Sequence, residues 1–67
     1  MIKIVNGPAD TKGFNQSDLY RVYETDAVDG VLVALATTVG EALDARSMLV
    51  DLTGKTYHIS PPRSEAN

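Results

Sequence analysis

Apolar residues along the chain fall in short runs separated by polar stretches rich in glycine and proline. Ile2-Lys3-Ile4-Val5 is short and β-branched, which predicts a first strand, and Asn6-Gly7-Pro8 ends it. Residues 6–17 (NGPADTKGFNQS) read as a long polar loop in which Phe14 is the one large apolar residue. Asp18 to Thr25 predicts a second strand. Tyr20 and Val22 share one face of it, and Leu19, Arg21 and Tyr23 share the other. Asp26 to Gly30 predicts a turn, with glycine at the position that needs a positive φ. Val31 to Ala36 is apolar throughout and predicts a third strand, paired antiparallel with the second and wanting cover on both faces.

Periodicity changes at Thr38. Thr38-Val39-Gly40-Glu41 fits a capping box, in which the threonine accepts from an unpaired N–H of the first helical turn and the glutamate lies three positions on. Val39, Ala42, Leu43, Met48, Leu49 and Leu52 recur near helical spacing, and Gly54 suits the left-handed residue that closes a helix. Thr56 to Ser60 predicts the last strand, which Pro61-Pro62 terminates. The expected fold class is α+β, with element order β-β-β-α-β: a small three- to four-stranded, mostly antiparallel sheet and one helix on one face. Residues 1–60 are expected to form a single domain, and 61–67 a disordered C-terminal tail.

This arrangement creates a mismatch. One helix covers one face of a sheet, whereas the third strand is apolar on both. Simple alternation places Leu32, Ala34 and Ala36 on one side and Val31, Val33 and Leu35 on the other. The small alanines suit the face beneath the helix. The Val31, Val33 and Leu35 face, with Tyr20 or Tyr23 beside it, is then either open to a partner or covered by the 6–17 loop with Phe14 or by the tail. On the open alternative the partner-binding residues are Tyr20, Tyr23, Glu24, Asp26, Asp29, Val31, Val33 and Leu35. Aromatic and aliphatic groups would supply buried area, and acids would steer and set register.

Composition narrows the chemistry. The 67 residues hold no cysteine and one histidine, which excludes disulfides, thiolate metal sites and a cysteine nucleophile. Nine acidic and six basic residues give a formal charge of −3, and Lys3, Lys12, Arg21, Arg46, Lys55 and Arg63 are scattered. That pattern disfavours a nucleic-acid binder, whose affinity rests on clustered cations. Gly54-Lys55-Thr56 ends like a phosphate-binding loop, but Leu49 stands where that motif needs its first glycine. His58 and Ser60 share a strand face without a carboxylate placed by sequence to complete a triad. Glu24, Asp26 and Asp29 lack the spacing of a calcium loop. Tyr20, Tyr23 and Tyr57 lack the flanking cations of a stacking platform. No enzyme activity, cofactor or metal is expected. No secretory signal or membrane span is visible, so a cytoplasmic protein is expected.

Residues 34–45, Ala34-Leu35-Ala36-Thr37-Thr38-Val39-Gly40-Glu41-Ala42-Leu43-Asp44-Ala45, carry a strand-Thr-x-x-Glu-Ala-Leu junction. It resembles the strand-to-helix junction of small phage-encoded inhibitors, such as the T7-type inhibitor of bacterial RNA polymerase and some anti-CRISPR proteins. The resemblance implies a compact, non-enzymatic protein that blocks a host complex by surface occlusion. Its partner is expected to be another protein or, in an assembly role, a second copy of the chain.

Overall fold

The computed structural model describes residues 1–25 and 30–63. It has four strands and one helix: β1 (Ile2–Ile4), β2 (Tyr20–Glu24), β3 (Val31–Ala36), α1 (Val39–Thr53) and β4 (Tyr57–Ser60). The sheet order is β1-β3-β2-β4, with every neighbouring pair antiparallel. The α+β expectation therefore holds, and the strand order completes it. The long connection between β1 and β2 is not featureless, because short 3-10 turns occupy Pro8–Thr11 and Gln16–Asp18. The second turn explains why β2 starts at Tyr20 rather than Asp18: Asn15 accepts from the Ser17 N–H and caps the turn.

Helix α1 forms where the sequence places it. The Thr38 side chain accepts from the Glu41 N–H at 3.2 Å, and Gly54 closes the helix at φ 69° with its N–H on the Val50 carbonyl. The Glu41 carboxylate takes the Thr37 and Thr38 hydroxyls and the α-amino group of Met1. The buried stripe of the helix is Ala42 and Ala45, with half-buried Leu49 next along it. They lie over Tyr20, Val22, Ala34, Ala36 and Tyr57, so the alanines of β3 do face the helix and let it approach closely.

Simple alternation fails in the middle of β3. Val22 pairs with Ala34 but Tyr23 pairs with Leu32, so Val33 is an extra residue, a β-bulge. The bulge reverses the expected faces. Leu32, opposite Tyr23, lies on the same side as Leu35, opposite Arg21, whereas Val33 packs against the core beneath the helix.

The face away from the helix is covered in part by the chain itself. Leu35 lies outside the helix-side cluster yet is fully buried, and with Val22 it is the largest such side chain. Lys3 and Arg21 flank Leu35 on the neighbouring strands, the 16–18 turn adjoins β2, and Phe14 and Leu19 of the 5–19 connection are half-buried. Residues 61–63 are fastened to it rather than starting a free tail. The Arg63 N–H donates to the Ser17 carbonyl at 2.9 Å, Arg21 donates through Nη2 to the Pro61 carbonyl at 3.0 Å, and Pro62 is buried.

Candidate protein-binding surface

Of the eight residues assigned to a partner from sequence, the six described ones do not form one surface. Tyr20 is buried under α1 and Leu35 is fully buried on the opposite face, so neither is available to a partner. Both misplacements come from the assumption of an uncovered far face. Val33 is half-buried against the core, moved there by the bulge. Tyr23 is half-buried on the far face beside His58, while Glu24 lies on the helix side and pairs with Lys55 at 2.9 Å. Val31 is exposed. Asp26 and Asp29 lie outside the described residues.

The sites considered for chemistry are likewise dispersed. His58 Nε2 and Ser60 Oγ are 3.2 Å apart, on an exposed stretch of the β4 edge strand. Tyr20 and Tyr57 face the helix and Tyr23 faces away, so the tyrosines share no platform. Gly54 caps α1 and Lys55 engages Glu24, which gives the Gly-Lys-Thr triplet a structural part. A groove of about 350 Å³ between the β1–β2 connection and the start of β3 is lined by aliphatic groups of Val5, Pro8, Val31 and Leu32, together with Thr11 and Gln16. It holds no ionisable group. Among the described residues no cluster of three or more His, Asp or Glu side chains is placed to hold a metal ion. No helix among them is long and apolar enough to cross a membrane.

The exposed apolar surface lies elsewhere, on α1 and β1. Met1, Ile2, Ile4, Val39, Leu43, Met48, Val50 and Leu52 are all exposed, from 37% at Ile4 to 74% at Leu52. Of the residues whose helical spacing marks the helix in the sequence, Val39, Leu43, Met48 and Leu52 are exposed. The true inward stripe runs through Ala42, Ala45 and Leu49 at i, i+3 and i+7.

Helical geometry sorts these residues into two flanks. Glu41 reaches Met1, so its side of α1 faces β1. Met48 and Leu52, seven and eleven positions on, lie within about 20° of Glu41 around the axis. Val39, Leu43 and Val50 lie about 160–180° from Glu41, on the flank away from β1. Ile2 and Ile4 pair with Ala36 and Ala34, so their side chains rise on the helix side of the sheet. The helix packs mainly on β2, β3 and β4 and less on β1, which leaves Ile2 41% and Ile4 37% exposed. The described part of the chain thus presents two apolar strips: Val39-Leu43-Val50 on one flank, and Ile2-Ile4-Met48-Leu52 in the angle between α1 and β1.

Comparison of the chain with protein families, with curated proteins and with solved structures gives no match.

Proposed function

We propose that the protein is a non-enzymatic protein-binding module that acts by occluding a surface of a host complex, in the manner of the small phage inhibitors its 34–45 segment resembles. The observation that carries this reading is the outward apolar surface of α1. A surface helix of a self-sufficient domain is polar on its solvent side. Here Val39, Leu43 and Val50 line one exposed flank and Met48 and Leu52 the other. Contiguous apolar surface of this kind marks interaction sites in small soluble proteins. Val39 and Leu43 belong to the segment that carries the resemblance.

The thin core supports the same reading. Among the described residues four of the nine buried apolar ones are alanines, and without disulfides a domain of this size gains stability from what it docks against.

The test is photocrosslinking in the producing cell, with a photoreactive amino acid at Leu43 or Met48 and, as control, at Lys12. A discrete adduct with one other protein from the helix positions, absent from the control, is the expected result. Adducts with a second copy alone would replace this reading with a self-assembling subunit. No adduct from either helix position would end it.

A further inference from the structure

We infer that the angle between α1 and β1 is the seat of an amphipathic helix with a basic flank, supplied by the partner protein; this rests on the protein-binding reading above and names the partner's chemistry. One helix, about 10 Å wide with its side chains, does not span a four-stranded sheet roughly 19 Å across. Because α1 sits mainly over β2, β3 and β4, the less covered strip lies over β1. Its floor is Ile2 and Ile4, and its wall is Met48 and Leu52. A helix laid alongside α1 would bury all four through positions spaced i, i+3, i+4 and i+7.

Charge selects the occupant. Asp44 and Asp51 are exposed on the solvent-facing side of α1, next to the Met48 wall. Arg46 lies on the opposite side of the helix, toward the Val39 flank. The rim that a second helix would meet is therefore acidic. A helix with lysine or arginine bordering its apolar stripe complements this rim and gains rate and register from it.

The experiment uses two designed 18-residue peptides, a leucine/lysine amphipathic helix and its leucine/glutamate counterpart, added to protein whose Ile, Leu and Met methyls are followed by NMR. The expected result is that the basic peptide shifts the methyls of Ile2, Ile4, Met48 and Leu52, and that the acidic peptide does not. The double variant Asp44→Lys, Asp51→Lys should weaken the basic peptide by about tenfold or more. Because both aspartates are exposed, this variant is expected to fold.

Equal binding of both peptides would overturn the basic-flank assignment. Shifts confined to Leu43 and Val50 would overturn the slot while leaving the protein-binding reading intact. Methyl shifts at the four slot residues that grow with protein concentration alone, with a doubling of mass in sedimentation, would hand the slot to a second copy. No shift with any peptide would overturn the inference, and the crosslinking result at Leu43 would then decide the broader reading on its own.

Discussion

Glu41 shows how one side chain couples local and distant structure. Its carboxylate accepts from the α-amino group of Met1 and from the Thr37 and Thr38 hydroxyls, joining the start of β1 to the first turn of α1. Those donors, the ammonium first and Thr37 next, hold its pKa down at about 2 against burial, which opposes them. The folded value lies below the unfolded one. The contribution is therefore complete above the unfolded pKa of about 4.5 and is lost as pH falls through 2. Glu41→Gln should lose stability at neutral pH and show a shallower acid decline between about pH 4.5 and 2, measured by urea unfolding across that range. An identical acid decline in both proteins would show that the cluster does not couple to folding. The pair is exposed, so added salt should shrink the difference.

Among the elements, β3 carries the clearest stability contrast. Its apolar run reads correctly from sequence as a strand buried on both faces, and the structure places Ala34 and Ala36 beneath the helix and Leu35, fully buried, on the opposite face. Leu35→Ala should cost about 2–5 kcal/mol, because it empties a sealed site. Leu52→Ala, at the most exposed large apolar residue, should cost less than about 0.5 kcal/mol. Chemical denaturation compares the two. Similar losses would mean that Leu35 is not enclosed as described.

What was legible in the sequence followed from strong local signals: the Thr38 cap, the Gly54 stop, the limits of β3 and the positive φ of Gly30, the rest of the expected 26–30 turn lying outside the described residues. What was not legible depended on contacts between distant segments. The capping of a 3-10 turn by Asn15, the docking of Pro61 to Arg63 on Ser17 and Arg21, and the sideways position of α1 leave no periodic trace. Alanine misled in a different way. A stripe built on Ala42 and Ala45 carries little hydrophobic weight, so the larger Val39, Leu43, Met48 and Leu52 mark the helix in the sequence while they line the outside.

At the level of the whole molecule, the layout is a sheet covered in part on each side. Residues 61–63 dock beside the 16–18 turn on the first side, where Leu35 is buried and Tyr23 half-buried, and a helix displaced from β1 leaves the second incomplete. The candidate site is therefore a product of the strand order. Had β1 lain between other strands, Ile2 and Ile4 would sit in the core. The sequence shows these isoleucines plainly, but which strand ends up at the margin is decided by pairing across the whole chain.

The extra residue in β3 has a consequence for how this chain tolerates shortening. Loss of one residue inside a strand ordinarily turns every residue beyond it inside out. At Val33 the opposite holds. Without it, Ala34 would follow Leu32 directly, Leu32 would still lie opposite Tyr23, and Val31 would still meet Glu24. The loss would be one flank-packed side chain and the bond from the Val5 N–H to the Val33 carbonyl. A protein lacking Val33 should fold with its remaining side chains on their present sides, whereas one lacking the fully buried Val22, on the strand without the extra residue, should not. Amide exchange on the two shortened chains would distinguish them. The bulge is thus a spare link, and β3 is the one place in the sheet where the chain could lose a residue and keep its sense of inside and outside.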